Sequence, residues 1–284
     1  MPDVSKAVLV TGCSSGIGNA TARRLARGGW LVFASARRPD AIEDLAALGC
    51  RTLALDVTSE ESMRAAVAAV EEAAGAVGVL VNNAGYSLSG AVETVPLELV
   101  RRQFETNVFG LARLCQLVLP GMRRQRFGRI VNVSSMGGKL TFPGGGFYHA
   151  SKHAVEALSD ALRFEVRAFG VDVIVVEPGI IRTRFAEAAL ASMPGAADEV
   201  YGEFTAAVAR TTTEVYERGL LARLGAGPDK VAGVIEKAIA ARRPKTRYRV
   251  DLAGRLLLAQ RALMPDRAWD LFLRRSFPEP GKGE

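Results

Sequence analysis

The stretch Val10-Thr11-Gly12-Cys13-Ser14-Ser15-Gly16-Ile17-Gly18 decides how the rest of this 284-residue chain is read. An apolar segment at 6–11, with the composition of a buried strand, leads into it, and a helical pattern over 17–27 follows. Glycines at 12, 16 and 18 permit a tight turn and let the backbone approach a pyrophosphate. The helix N-terminus beyond them offers unpaired N–H groups and a favourable dipole. Such a turn is also ordinary punctuation between a strand and a helix, so its surroundings carry the weight.

Working outward, short runs rich in Val, Ile and Leu recur at 30–36, 51–55, 77–82, 129–134 and 171–177. Helical patterns lie between them at 39–48, 59–74, 97–124 and 147–169. Alternation of this kind predicts right-handed crossovers and an α/β fold: a Rossmann-type, doubly wound parallel sheet with helices on both faces. One domain is expected, its core spanning about 5–250. After Pro178-Gly179 the composition changes, and 185–227 reads as a helical lid without a strand pattern. Thr246, Tyr248 and Val250 then alternate with Arg247 and Arg249 as a last strand would. A basic helical tail is expected over 251–284.

Composition excludes several classes. The hydrophobic fraction is 49% and the charged fraction 24%, ordinary for a folded globular chain. No apolar run approaches the ~18 residues that cross a bilayer, and the first residues lack the pattern of a secretory leader. Cys13, Cys50 and Cys115 are too scattered for a disulfide framework, and with His149 and His153 the sole histidines no metal site is expected. A reducing, cytoplasmic setting follows as the expectation. The net charge of +7 is concentrated at the end: 242–275 holds ten basic and three acidic residues, a difference of +7. No nucleic-acid motif accompanies that patch, so no nucleic-acid partner is expected. The tail's leucines and Trp269 form an apolar stripe with basic flanks. Docking on the body of the protein is the favoured reading, and peripheral contact with a membrane surface stays open.

Further motifs line up behind the glycine turn. Asn82-Asn83-Ala84-Gly85 closes the fourth strand, where open-sheet ligands bind, although Asn and Gly are also common turn residues. Asp56-Val57 follows the third strand; Asp56 either caps the next helix or faces a ligand. Tyr148 and Lys152 are four apart, so a helix places them on one face, with Ser135 thirteen residues upstream of the tyrosine. A free phenol has a pKa of about 10, and a neighbouring ammonium is expected to pull it down. The second strand ends in Ser35-Ala36-Arg37-Arg38 with no carboxylate. A guanidinium there suits a 2′-phosphate; a solvated loop is the plain alternative.

Taken in register over roughly 5–250, these motifs resemble the short-chain dehydrogenase/reductase family, and the Thr11–Gly16 variant looks most like its hydroxysteroid and retinol dehydrogenase branch. The resemblance implies a hydride transfer between a nicotinamide cofactor and a secondary alcohol or ketone, with a lipophilic, steroid- or retinoid-like substrate expected. It implies Asn107, Ser135, Tyr148 and Lys152 as the catalytic set. Ser135 would hold the substrate oxygen, Tyr148 pass the proton, and Lys152 and Asn107 replenish it. It implies cofactor contacts at Gly12, Ser14, Ser15, Gly16, Ile17, Gly18, Arg37, Asp56, Val57, Asn83, Ala84, Gly85, Tyr148, Lys152, Pro178, Gly179, Ile181 and Thr183. NADP(H) is the expected cofactor, and NAD(H) stays open because the glycine turn holds no basic residue. A homodimer through 97–124 and 147–169 is implied as well. In the lid, Phe185, Ala188, Ala189, Leu190, Met193, Tyr201, Phe204 and Val208 are expected to line the substrate cleft or to pack the lid itself. His149 and His153 are expected to point away from the catalytic pair. Two alternatives remain: a nucleotide-sensing regulator that has lost turnover, and a reductase of sugar or acyl-thioester ketones.

Overall fold

The apolar runs form parallel strands whose side chains are buried on both sides of the sheet. The computed structural model describes residues 4–183, 185–191, 193 and 200–281. Its strands are β1 (Val8–Val10), β2 (Val32–Ala36), β3 (Arg51–Ala54), β4 (Val79–Asn82), β5 (Gly128–Val133), β6 (Val171–Glu177) and β7 (Arg247–Arg249). They make one parallel sheet in the order β3-β2-β1-β4-β5-β6-β7. The order reverses between β1 and β4, which opens a crevice at the carboxyl ends of those strands.

Helices cover both faces. They are α1 (Gly16–Arg27), α2 (Glu43–Ala46), α3 (Glu60–Ala74), α4 (Leu97–Phe104), α5 (Gly110–Gln125) and α6 (Gly146–Val166), followed by α7 (Phe185–Ala191), α8 (Gly202–Thr213), α9 (Leu220–Leu224), α10 (Pro228–Ala240), α11 (Leu252–Leu263) and α12 (Asp266–Leu273). Strand side chains alternate between the two layers. Val8, Val10, Val32 and Ala34 pack with Leu25 of α1 and Ile235 of α10 on one face. Leu9, Phe33, Leu80 and Ile130 pack with Val70 of α3, Leu114 of α5 and Val155 of α6 on the other. With both faces covered, the strands need no polar side, so their sequences read as continuous apolar runs. β3 and β7, at the two sheet edges, are the exceptions, with Arg51, Ala54 and Arg249 exposed.

Three elements differ from the sequence reading. The expected helix over 39–48 is a 3₁₀ turn, Pro39–Ile42, followed by the single turn of α2. The expected helix over 97–124 is interrupted at Glu105–Phe109 by a π-helical turn, the kind of defect that often marks a functional site. Helix α10, which the reading passed over, packs against α1.

The lid region holds α7, α8, a π-turn at Glu214–Arg218 and α9. Residues 192 and 194–199 of the expected lid, the side chain of Ala188, and 282–284 of the expected tail lie outside the described residues. The tail folds back onto the molecule. Leu257, Leu258 and Trp269 are buried, and the Trp269 Nε1 donates to the Thr141 carbonyl at 3.4 Å. Its outer face leaves Leu252, Leu256, Leu263 and Leu271 exposed. Among the described residues no helix is long and apolar enough to cross a membrane.

Candidate active site

Two of the motifs are bolted together at the floor of the crevice. The Thr11 hydroxyl accepts from the backbone N–H groups of Asn83 at 3.0 Å and Ala84 at 2.9 Å. In return, the Asn83 amide donates to the carbonyls of Thr11 at 2.9 Å and Gly12 at 3.2 Å. Gly12 has φ +72°, and a Cβ there would lie 2.9 Å from the Ala84 Cα. At Gly18 a Cβ would sit 2.3 Å from the Gly12 carbonyl oxygen, a clash that glycine alone avoids. Gly16, φ +58°, lies beneath the Thr183 side chain.

Helix α1 begins immediately behind this turn with Ser15 at its N-cap, no side-chain cap bond and no acidic residue in the first turn. Ser14 and Ser15 are exposed on the turn, and Ile17 is half-buried behind it. Backbone-lined turn, positive helix end and the absence of a competing carboxylate fit the pyrophosphate of a dinucleotide. The Cys13 N–H donates to the Ser35 carbonyl at 2.8 Å, which ties the turn to the end of β2. Arg37, two residues beyond Ser35, is exposed there, and together with Arg102 it acts electrostatically on the Tyr86 phenol.

The other expected cofactor positions divide into exposed and buried. Asp56 closes its own turn, accepting from the Thr58 N–H at 2.9 Å and hydroxyl at 2.8 Å; the cap of α3 is Ser59. The side chains of Val57 and Ile181 are buried in the protein, so only their backbones can face a ligand. Gly179 is held by Asp251, whose buried carboxylate accepts from the Gly179 N–H at 2.6 Å and from the Gly254 N–H at 2.8 Å. That carboxylate caps α11 and fastens the tail to the loop after β6. Pro178 accepts from the Met136 N–H at 2.8 Å, linking the same loop to the serine segment.

Ser135, Tyr148, Lys152 and Asn107 meet around the start of α6. The Ser135 hydroxyl lies close enough to the Tyr148 phenol to pull its pKa down, and it accepts from the Gly137 N–H at 3.1 Å. Lys152 is buried and its Nζ donates to the Val133 carbonyl at 2.9 Å, lying 5.9 Å from the centre of the Tyr148 ring. Asn107, in the π-turn, donates to the Tyr86 carbonyl at 2.9 Å and the Ser151 hydroxyl at 3.1 Å, and accepts from the Tyr86 N–H at 3.0 Å. A Cβ on Gly85 would lie 2.9 Å from the Asn107 Oδ1 and 3.7 Å from the Lys152 Nζ, so that glycine keeps both within reach of the crevice.

The electrostatics correct one expectation. Burial pushes the Tyr148 phenol up to about 12, against the pull of the Ser135 hydroxyl. The ammonium was expected to lower it, but Lys152 turns its Nζ to a carbonyl and is itself pushed down to about 8 by burial, with Glu156 opposing. Tyr148 is therefore held as a neutral phenol, with a proton it is able to give.

Tyr148 and Ser135 form one wall of a cavity of about 200 Å³. Phe142, Phe185, Val208, Val215, Leu257, Phe272 and Phe277 are among its apolar lining. Of the lid side chains expected there, Phe185, Ala189 and Val208 line the cavity, and Phe185 lies 5.4 Å from the Tyr148 ring centre to centre. Leu190 is absent from the lining, while Met193, Tyr201 and Phe204 pack with Ala91, Val208 and Phe277. His149 corrects a second expectation: it lines the same cavity as Tyr148, at 5.6 Å between ring centres, whereas His153 is exposed. The cavity reaches both residues because the segment before α6 wraps around the helix's first turn. Tyr216 and the tail residues Phe272 and Phe277 were also missed; only the closed fold brings them to the cavity.

A model of the short chain dehydrogenase family matches residues 6–193. A 3-ketodihydrosphingosine reductase of Bacteroides thetaiotaomicron is 36% identical over 94% of this chain and 96% of its own. An NADPH-dependent 3-dehydrocapnine reductase of Ornithobacterium rhinotracheale is 36% identical over 92% and 94%. Among solved structures, a short-chain dehydrogenase from Streptomyces avermitilis superposes with a TM-score of 0.78 at 34% identity, covering 96% of both chains.

Proposed function

We propose a reaction for this chain from one premise: it belongs to the short-chain dehydrogenase family, and it is an oxidoreductase. The reaction is reduction of a ketone, or oxidation of the matching secondary alcohol, on a lipophilic body, with NADP(H) as partner. The observation that carries this reading is the Ser135–Tyr148 pair, set at the wall of an apolar cavity beside the glycine turn.

A nicotinamide cofactor bound in the glycine-turn crevice would supply the hydride to the carbonyl carbon. The turn at 12–18, Thr183, and the backbones of Val57, Ala84 and Ile181 would hold it. Arg37 favours a 2′-phosphate, and no carboxylate competes at the end of β2. Ser135 donates to the substrate carbonyl and orients it. Tyr148, kept neutral by burial, donates its proton to the oxygen as negative charge develops there. Lys152 restores that proton, and Asn107 holds the Tyr86 backbone and Ser151 in place beside it.

The apolar lining favours a lipophilic substrate with few polar anchors. The names of the two reductases point toward the carbonyl-reducing direction. Steroid-, retinoid- and long-chain frames differ in shape, and a ketone series separates them. A homodimer belongs to the same proposal, since Leu97, Phe109, Leu158 and Phe164 stand exposed on or between α4, α5 and α6. The test is nicotinamide absorbance with NADPH and with NADH against short, long and polycyclic ketones. Efficiency should rise with apolar size and be greater with NADPH. Equal efficiency across the series, or preference for a charged polar ketone, would contradict the substrate class; preference for NADH would contradict the role of Arg37.

A further inference from the structure

The proton transfer described above leaves several polar groups of the cavity wall without a task, and His149 is the one that follows Tyr148 in the chain. His149 is 8% exposed and lines the cavity next to Tyr148. Its Nδ1 lies 3.1 Å from the Gly137 carbonyl oxygen. A carbonyl only accepts, so Nδ1 carries the hydrogen of that bond. Burial pushes the imidazole down to about 4, which leaves the ring neutral and Nε2 a bare acceptor. Among the described residues no donor reaches Nε2 within hydrogen-bond distance.

The surroundings are shaped to the ring on both edges. A Cβ on Gly137 would lie 2.4 Å from Nδ1, and a Cβ on Gly145 would lie 2.8 Å from Nε2. Gly145 has φ −118°, a backbone conformation open to any residue, so its lack of a side chain serves space rather than conformation. What glycine leaves is room for the Nε2–Cδ2 edge of the ring itself, which a Cβ at 2.8 Å and 2.9 Å from those two atoms would push aside. No charged side chain lines this cavity among the described residues. A cationic donor would lose its hydration there without a counter-charge, whereas a neutral hydroxyl or N–H would exchange one hydrogen bond for another.

We propose that His149 is a specificity residue: its Nε2 accepts a hydrogen bond from an uncharged O–H or N–H donor that the substrate carries near its reacting carbonyl. The inference deepens the reductase reading and rests on it. Tyr148 and Ser135 then grip the carbonyl oxygen while His149 fixes the neighbouring carbon, so a hydroxyketone is oriented at two points and a plain ketone at one.

The test uses two ketones of equal chain length, one bearing a hydroxyl on the carbon beside the carbonyl, with wild type, His149→Phe and Gly145→Ala. Wild type should favour the hydroxyketone by about five- to tenfold in kcat/KM, chiefly through KM, the size of one net hydrogen bond. His149→Phe removes the lone pair, and the Gly145→Ala Cβ, 2.8 Å from Nε2, forces that edge of the ring out of place, so both should bring the ratio close to one. Calorimetric titration of the matching diol and alcohol, which needs no turnover, should show the same preference and the same loss. A wild-type ratio of one in both measurements, or a preference that survives both substitutions, would overturn the assignment. Absence of turnover with either ketone would instead refute the reductase reading, and the titration would still decide the role of His149.

Discussion

On the glycine-turn side of the crevice the wall is backbone, drawn tight by Thr11 and Asn83 and closed by glycines where no Cβ fits. On the lid side the wall is side chain, gathered from the serine segment, α6, α7, α8, the π-turn and the tail. The first surface tolerates almost no change in shape, because the glycine turn and the 82–85 segment fix each other by close contact and hydrogen bonds. The second is a set of apolar contacts, each replaceable by another of similar volume. The difference teaches where selectivity resides: the rigid side suits a ligand of constant shape, and the composed side can be re-cut for different substrates.

Gly18→Ala is the severest way to break that contrast. The added Cβ meets the Gly12 carbonyl at 2.3 Å and the Asn83 amide at 2.5 Å, so the bolt between the two motifs must open. Overpacking of this kind costs about 1–3 kcal/mol of stability. Calorimetry should show NADPH affinity reduced more than tenfold, about 1.4 kcal/mol or more. Unaltered affinity would mean that the turn does not hold the cofactor.

Phe272→Ala probes the composed side with a smaller effect. Phe272 is half-buried, lines the cavity, and stacks on Trp269 at 5.2 Å. Full burial of such a ring is worth about 1.5–3 kcal/mol, and partial contact with a substrate roughly a third of that. KM for a long ketone should rise about fivefold while NADPH affinity stays unchanged. A matched loss of NADPH affinity would erase the distinction between the two sides.

A pH profile gives the mildest effect. Lys152 is pushed down to about 8, so its ammonium is lost as pH rises through that value and can no longer restore the Tyr148 proton. Ketone reduction should therefore fall above pH about 8. Glu156 raises the Lys152 value, so Glu156→Gln should move the fall to lower pH. A limb that stays in place would separate Lys152 from the proton supply.

The same contrast governs what the sequence made legible. β1, β2, β4, β5 and β6 are buried on both faces, and their apolar runs announce it. The glycine turn and the 82–85 segment were readable because their constraints are local: a tight turn and a close approach each demand a residue type. Helix α10 was readable in principle, with Pro228 at its first turn after Gly227 and Val231, Ala232, Ile235, Ala238 and Ile239 on one face. It was hidden by its position directly after an irregular lid. The π-turn around Asn107 was not readable, since it answers to Tyr86 and Ser151, which are distant in sequence. Asp251 drew no reading from the sequence, because its partner Gly179 is 72 residues away. His149 was set aside because one step along a helix turns a side chain by about 100°, which is true of the helix but not of a cavity that wraps around its end. The phenol's shift depended on where the Lys152 Nζ points, which spacing alone does not determine.

In the proposed reaction Tyr148 supplies the proton, and the cofactor half of the site stands without it. The most direct measurement compares wild type with Tyr148→Phe on one purified preparation each, recording NADPH affinity by calorimetry and ketone reduction by nicotinamide absorbance. Loss of the donor alone should lower the rate by at least about a hundredfold while NADPH affinity changes by less than about threefold. A variant that keeps a tenth of the wild-type rate, or one that loses NADPH binding as severely as turnover, would contradict the account.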